Sequence, residues 1–235
     1  MAGLFGQSGV VTRETTLGET SEPLAVEEAL LAAGWADKRR VEFAAARRCA
    51  RRALAELGIT NFPLLAGPDR APIWPEQVVG SITHTDGVAS GYCGVAVASR
   101  RLAAGLGIDA EPRQPLPAEL WPRILDGEEK RAALASDEPG ECARLIFSAK
   151  EATYKAVYPT LKRFLDFPDV HIRLLRAQGL FVAELTGATR AIPPAAGPLM
   201  GRFRIDHELI LTGVLLPQGT STTTQEGLSP RAVPC

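Results

Sequence analysis

Apolar residues recur every three to four positions in several stretches of the chain, which is the spacing of an amphipathic helix. The predicted helices are 27–34, 38–57, 124–134 and 141–158. Gly58 follows the clearest of them, 38–57, where a helix stop is typical. Ser148 and Glu151 have the spacing of a capping box, so the last helix has a second possible start at Ser148.

Other apolar runs are short and bounded by Gly, Pro or Asp, which is typical of strands. The predicted strands are 78–84, 88–99, 106–111, 169–175, 180–185, 201–205 and 209–215. Proline-rich stretches at 61–77 and 115–122 are predicted loops. Residues 1–22 are only weakly patterned, and the polar tail at 217–235 is predicted to be disordered.

The order of these elements is a helix, then strands, then helices, then strands again. That order favours the α+β class. We expect an amino-terminal lobe at 1–104 and a carboxy-terminal lobe at 105–216. No internal repeat is strong enough to prove that the two halves are equivalent.

The charge of the chain mainly helps to exclude classes of binding partner. The 235 residues carry a net charge of −1, so no global basic field points to nucleic acid or to an anionic membrane. The segment 38–52 is an exception, with seven basic residues against one acid. Arg47 and Arg51 are candidates for a local anion site. For Arg48 and Arg52 we favour a solvated helix face whose aliphatic stems lie on the core.

Cysteine usage and hydropathy favour a reduced, cytoplasmic and soluble protein. The four cysteines are far apart and lack metal-site spacing, and Cys49 and Cys93 fall in apolar patterns where buried thiols are common. Residues 1–11 lack a signal-peptide pattern. The longest apolar stretch, 88–98, is too short to span a bilayer. We also expect a monomer.

The first candidate for chemistry is an acidic pair in the strand 106–111. Asp109 and Glu111 are two apart, so their side chains project from the same side of a strand. Two close carboxylates repel each other unless a cation or a proton separates them. Hard oxygen ligands in this arrangement suit Mg²⁺. The alternative is an exposed strand end whose acids are merely solvated.

The second candidate lies in the last predicted helix. Glu151 and Lys155 are four apart and share a helix face, and Lys150 precedes them. Together they would supply one metal ligand and two phosphate contacts. The alternative is an ordinary surface ion pair, although Phe147 and Tyr154 indicate that this helix is partly buried.

The third candidate is His84, which follows a short predicted strand. A residue at the end of a strand is well placed to serve a site. A lone histidine is nevertheless more often structural than catalytic, and the structural interpretation is the only one given to His171 and His207.

Taken together, these segments resemble the surfactin-type and enterobactin-type 4′-phosphopantetheinyl transferases, especially actinobacterial members. The matching segments are Trp74-Pro75, GSITH at 80–84, GIDAEP at 107–112 and FSAKEATYKA at 147–156. The arginine-rich helix at 40–57 also looks like that subgroup's amino-terminal motif. The resemblance covers about 39–216. One departure is Thr85, where close relatives often have cysteine, and 86–92 also departs from the pattern.

The resemblance implies two similar α+β lobes related by a pseudo-twofold axis, with coenzyme A and magnesium in the cleft between them. It implies a magnesium site formed by Asp109, Glu111 and Glu151. The implied coenzyme A contacts are Arg47, Arg51, Arg70, Thr83, His84, Lys150 and Lys155, with the two lysines beside the pyrophosphate.

The implied reaction is attack by a carrier-protein serine on the β-phosphorus of coenzyme A, with release of 3′,5′-ADP. Glu151 is the expected base, directly or through a metal-bound water, with Glu111 or water as alternatives. Lys155 is expected to stabilise or protonate the leaving phosphate. The carriers of this subgroup are acyl or peptidyl carrier proteins of polyketide, peptide or siderophore synthases, and which carrier is used here stays open.

Two other functions are weighed against this one. A non-catalytic module that binds coenzyme A or a carrier protein would not need the full acidic set. A different magnesium-dependent nucleotide enzyme, such as a kinase, is the other alternative, but the GxxxxGK[ST] loop of P-loop enzymes is absent from the sequence.

The segment 115–125 is the candidate docking surface for the carrier. It is strongly apolar, with Leu120 and Trp121 among its members, and it directly follows the acidic strand. Its side chains either cover the core or form an exposed patch beside the cleft. Lys162 and Arg163 would add charge steering for an acidic partner.

Overall fold

A computed structural model describes residues 1, 3–6, 9–19, 22–187 and 197–218. The helices are α1 Val26–Ala32, α2 Asp37–Glu56, α3 Trp121–Ile124, α4 Gly127–Leu134 and α5 Pro139–Leu161. The strands are β1 Val10–Thr15, β2 Val78–Thr85, β3 Tyr92–Ser99, β4 Ala103–Pro112, β5 Val170–Leu175, β6 Leu180–Leu185, β7 Leu199–Ile205 and β8 Leu209–Pro217. Short 3₁₀ turns cover Ala118–Leu120, Phe167–Asp169 and Arg176–Gln178.

Four features of the observed elements differ from the sequence-based expectations. β1 lies in the weakly patterned stretch 1–22, and α5 begins at Pro139, so the alternative start at Ser148 is wrong. The predicted helix 124–134 is two helices, because Asp126 caps α4 by accepting the N–H groups of Glu128 and Glu129. β3 begins only at Tyr92, since 88–91 form a turn. The tail beyond 218 lies outside the described residues.

The amino-terminal half is one long helix on a three-stranded antiparallel sheet. The strand order is β1-β3-β2, and β3 pairs with both neighbours. α2 packs its small residues on β3, where Ala46, Cys49 and Ala53 contact a core that includes Cys93 and Val95. Cys49 and Cys93 are buried free thiols, as predicted.

The carboxy-terminal half repeats this plan with a larger sheet. Its antiparallel strands run in the order β4-β8-β7-β6-β5, and α5 packs across β4 and β8. Gly105 and Gly107 on β4 lie so close to α5 that a Cβ at either position would overlap a carbonyl oxygen of Ala156 or Ala152. The predicted α+β class is therefore confirmed, with one helix-on-sheet unit in each half.

The two halves meet where β2 lies alongside β4. The strands are not joined by a backbone ladder. Instead, the hydroxyl oxygens of Ser81 and Thr83 on β2 accept the backbone N–H groups of Ile108 at 3.1 Å and of Ala110 at 3.0 Å. Small hydroxyl side chains thus take the place of carbonyl acceptors. This arrangement brings Thr83 directly beside Asp109.

Candidate active site

Asp109 lies at the junction of the two halves and is only 5% exposed. Its Oδ1 accepts a hydrogen bond from Lys155 Nζ at 2.8 Å and another from Thr83 Oγ1 at 3.2 Å. Its Oδ2 accepts from Ser148 Oγ at 2.9 Å. Since these donors come from β2 and from α5, the carboxylate is held by elements of both halves.

Glu111 lies two residues further along β4, on the same side of the strand as Asp109. It is partly buried, and its Oε2 pairs with Arg144 Nη1 at 2.7 Å. Burial and the nearby negative charge of Asp109 raise the pKa of Glu111 to about 7, although Arg144 acts in the opposite direction. The local surroundings therefore disfavour two unshielded negative charges here.

Glu151 enters the same environment from α5. Burial raises the pKa of its carboxyl group, the negative charge of Asp109 raises it further, and Lys155 lowers it. Repulsion among carboxylates is relieved by a bound cation or by a proton. The charge of Asp109 therefore acts on both of the other predicted metal ligands, Glu111 and Glu151.

The donor chemistry of Asp109, Glu111 and Glu151 fits Mg²⁺, because all three offer carboxylate oxygens. They do not form a closed cage. In the described part of the chain, a different cluster, formed by Asp126, Glu129 and His171, has ligand atoms that all lie within 4.8 Å of one another. An open set is compatible with Mg²⁺, which usually keeps waters and substrate phosphates among its ligands.

Lys155 is the cation that pairs with Asp109 in this acidic set. Its Nζ donates to Ile108 O at 3.2 Å as well as to Asp109, and its side chain is 28% exposed. The ammonium group is thus fixed at the site yet accessible to a ligand. A phosphate contact by Lys155 stays a prediction.

Lys150 does not join the acidic set, in contrast to the expected pyrophosphate contact. Its side chain is 2% exposed and its Nζ lies 2.8 Å from Glu129 Oε2. The same Nζ donates to Ile124 O at 2.8 Å and to Phe167 O at 2.9 Å. Because an ammonium group has three N–H donors, these partners use all of them. Lys150 therefore ties α5 to α3, α4 and the 167–169 turn.

Arg47 is also less accessible than expected for a ligand contact. It is 6% exposed, its Nε donates to Leu64 O at 2.8 Å, and its guanidinium group lies 3.8 Å from the centre of the Phe43 ring. Burial lowers its pKa to about 10. The bond to Leu64 O joins α2 to the 64–73 segment, whereas the Phe43 contact lies within α2.

Arg51 is engaged by the chain that precedes α2. Its Nη1 pairs with Glu28 Oε2 at 2.6 Å and its Nη2 donates to Pro23 O at 2.7 Å. Glu28 is fully buried and also accepts the N–H of Leu64 at 2.9 Å. These contacts use two of the five N–H donors of Arg51, whose side chain is 20% exposed.

The solvated helix face expected for Arg48 and Arg52 is wrong for Arg48, which is 6% exposed. Arg48 donates to the backbone carbonyl oxygens of Glu19 and Glu22, and Arg52 pairs with their carboxylates. Arg48 and Arg52 therefore hold the segment that precedes α1 against α2. Arg48 does so through backbone carbonyl oxygens, and Arg52 through carboxylates.

The remaining predicted contacts lie on the amino-terminal side of the junction. Thr83 is buried, whereas His84, the next residue on β2, is exposed. Partial desolvation lowers the pKa of His84, and the positive charge of Lys155 lowers it further, while nearby acids act in the opposite direction. Arg70 is exposed in a tight turn with a φ of 65°. The structure therefore places His84 in the electrostatic range of Lys155.

Sequence reasoning missed Arg144 and Thr212 and assigned Ser148 only a capping function. Ser148 Oγ lies 2.9 Å from Thr212 Oγ1, and Arg144 holds Glu111. The available signal was helical spacing, since Arg144, Ser148, Glu151 and Lys155 are separated by four, three and four residues.

A small pocket of about 120 Å³ opens beside Glu151. Its walls include Tyr154, Phe164 and Phe167, and the rings of Tyr154 and Phe164 meet edge to face at 5.6 Å. Phe164 is 68% exposed despite its size. The pocket therefore offers an apolar, aromatic wall directly next to a carboxylate of the acidic set.

Two family profiles match the chain on either side of the junction. The profile of the 4′-phosphopantetheinyl transferase N-terminal domain matches residues 27–99, and that of the 4′-phosphopantetheinyl transferase superfamily matches 105–196. The 4′-phosphopantetheinyl transferase PptT of Mycobacterium tuberculosis is 40% identical over 198 residues, which cover 81% of this chain and 85% of PptT. The chain belongs to the 4′-phosphopantetheinyl transferase family. The resemblance expected from the motifs is thereby confirmed, and the protein is a transferase.

A second relative of this transferase covers nearly the whole chain. The 4′-phosphopantetheinyl transferase Svp of Streptomyces mobaraensis is 37% identical over 242 residues, 96% of this chain and 94% of Svp. Among solved structures, the holo-[acyl-carrier-protein] synthase of Thermotoga maritima aligns with a TM-score of 0.40 and 24% identity, covering 50% of this chain and 66% of that one. In the described part of the transferase, no helix has the length and apolar character needed to cross a membrane.

Proposed function

We propose that this transferase moves the 4′-phosphopantetheine arm of coenzyme A onto a serine of an acyl or peptidyl carrier protein. The observation that carries the proposal is the meeting of Asp109, Glu111 and Glu151 with Lys155 at the junction of the two halves. A new bond forms between the serine oxygen and the β-phosphorus, and the bond to the 3′,5′-ADP oxygen breaks. Such chemistry depends on positioning and charge neutralisation.

Asp109, Glu111 and Glu151 would hold Mg²⁺ in this proposal. When bound, the ion supplies charge neutralisation for the pyrophosphate oxygens. The remaining contributions come from the chain itself. Lys155 places its ammonium group where it stabilises the charge that develops on the leaving phosphate, and Asp109 holds that ammonium at 2.8 Å.

The serine proton needs an acceptor at the same place. We propose Glu151 as the base, with Glu111 as the second candidate because its carboxylate lies beside Asp109 on the same side of β4. The ion pair with Arg144 restrains Glu111 and makes it the less mobile of the two.

For coenzyme A, we propose phosphate contacts by His84 and Lys155, with Thr83 supporting Asp109 from β2. Arg47 and Arg70 stay candidate contacts. Arg51 also stays a candidate, because its contacts with Glu28 and Pro23 use only two of its five N–H donors. Lys150 is left out, since its three donors are already engaged within the protein. The pantetheine arm would lie in the apolar pocket beside Glu151, because that pocket opens next to a carboxylate of the acidic set.

The proposed docking surface for the carrier is smaller than the sequence indicates. Most apolar residues of 115–125 cover the core, and their exposed fractions are 3% for Leu116, 8% for Trp121 and 5% for Ile124. Leu120 is 41% exposed and remains available. Lys162, at the carboxyl end of α5, is exposed and would steer an acidic carrier.

The function is tested by incubating the transferase with coenzyme A, Mg²⁺ and a panel of apo acyl and peptidyl carrier proteins. Intact-mass spectrometry should show one phosphopantetheine added to the carrier, with 3′,5′-ADP in the supernatant. Binding of coenzyme A without any transfer across the panel would support a non-catalytic binding module instead. The carrier modified fastest identifies the class of synthase that this transferase serves.

A further inference from the structure

Residues 64–73 of the amino-terminal half form a narrow hairpin, here called the finger. Its two arms are joined by hydrogen bonds from Ile73 N to Leu65 O at 3.0 Å and from Gly67 N to Ala71 O at 2.9 Å. The finger is itself anchored at its base, where Leu64 O accepts from Arg47 and Leu64 N donates to a buried carboxylate. It is therefore a defined element of the fold.

The tip of the finger reaches the other half of the molecule through Asp69. Oδ1 of Asp69 accepts the N–H of Ala71 at 3.1 Å, which stabilises the turn. Oδ2 accepts the hydroxyl of Tyr158 at 2.6 Å, and Tyr158 lies in the last turns of α5. The bond raises the pKa of Tyr158 to about 12 and helps to lower that of Asp69. At neutral pH it is thus a charge-assisted bond between a phenol and a carboxylate ion.

Tyr158 belongs to the face of α5 that carries the site. It follows Glu151 by seven residues and Lys155 by three, and residues at these spacings lie on one side of a helix. Its ring packs against Tyr154 with centroids 5.5 Å apart, and Tyr154 lines the pocket beside Glu151. The finger tip therefore contacts the end of the row of side chains that forms the active site.

We propose that the Asp69–Tyr158 hydrogen bond is a latch that docks the finger on α5 and confines coenzyme A between the two halves. The inference rests on the proposed function, because it assumes that coenzyme A occupies this cleft. Asp69 and Tyr158 are positioning residues, since neither contacts the reacting atoms. Opening of the latch would free the side of the cleft that the finger covers.

The test uses Tyr158→Phe, which removes one hydroxyl and keeps the ring. The latch predicts that KM for coenzyme A and the dissociation rate of coenzyme A both rise about three- to tenfold, the range for loss of one such hydrogen bond, while kcat changes less than twofold. Asp69→Ala should act similarly, and Tyr158→Phe should have no further effect in the Asp69→Ala background. Thermal melting of each variant checks that the fold persists.

Ser136→Ala is the matched control, because it deletes a hydroxyl that donates at 2.8 Å to Ala133 O on α4, away from the cleft. It should leave KM for coenzyme A unchanged. The latch is overturned if Tyr158→Phe leaves both coenzyme A constants at the wild-type values, if it lowers kcat alone, or if the effects of the two variants add. A wild-type protein that transfers nothing to any carrier would instead overturn the proposed function.

Discussion

Gly107 on β4 lies directly under the carbonyl group of Ala152 on α5. A Cβ at Gly107 would overlap Ala152 O and lie 2.6 Å from Ala156 N, so only glycine permits this contact. Asp109 is two residues along the same strand, and its partners Ser148 and Lys155 are on the same helix. The short distance between strand and helix is therefore what allows Asp109 to be reached by both.

Gly107→Ala should unfold the transferase or destabilise it by more than about 3 kcal/mol, since the overlap is with backbone atoms that have no rotamer to change. Gly127→Ala is the matched control. Its Cβ would have only Arg131 Nη1 nearby, at 3.8 Å, and we expect no loss of stability. Urea unfolding of both variants checks the difference, and equal midpoints would contradict the packing argument.

Lys150→Met should lower the free energy of unfolding by about 3–5 kcal/mol, because it leaves the buried carboxylate of Glu129 without its cation. The double variant Lys150→Met/Glu129→Gln should recover part of this loss. Lys130→Met, on the exposed face of α4, serves as the control and should change stability by less than about 0.5 kcal/mol. If Lys150→Met unfolds like the wild type yet raises KM for coenzyme A, Lys150 contacts the ligand after all.

Leu120→Glu and Lys162→Glu should each raise KM for the carrier protein with little change in KM for coenzyme A. Both substitutions add negative charge to the surface proposed to meet an acidic partner. Leu134→Glu is the control, because Leu134 is a leucine on α4 that is 59% exposed. Steady-state kinetics with each substrate varied in turn distinguishes the two constants. If KM for the carrier protein is unchanged in both variants, the carrier docks on a different surface.

Sequence patterns located most of the fold. The helix spacing at 38–57 and 141–158 corresponds to α2 and α5, and the apolar runs from 170 to 215 correspond to β5 to β8. β1 was missed because four of the six residues in its sequence, VVTRET, are polar, and because it is stabilised by pairing with β3, whose residues lie 78 to 88 positions away along the chain. Such long-range pairing leaves no local signal.

For the site, the sequence indicated which residues share a face of a helix or strand, but it did not indicate which neighbouring groups those residues pair with. Glu151 and Lys155 share a face of α5 as their spacing suggests, and Asp109 joins them as the family resemblance implies. Lys150 and Arg51 carry the same charge as a phosphate-binding residue, yet buried acids in α4 and α1 engage them. These partners are brought close only by the packing of α4 and α1. The presence of a basic residue in a motif therefore could not distinguish a ligand contact from an ion pair inside the protein.

The most direct test of the account is the rate of phosphopantetheine transfer to an apo carrier protein by Asp109→Asn and Glu151→Gln, each compared with the exposed-site control Asp137→Asn. The reaction is followed by intact mass at saturating coenzyme A and Mg²⁺, with circular dichroism to check the fold. The account predicts folded proteins whose transfer rate falls about hundredfold or more, and a control that matches the wild type. Transfer at near-wild-type rates by either Asp109→Asn or Glu151→Gln would contradict it.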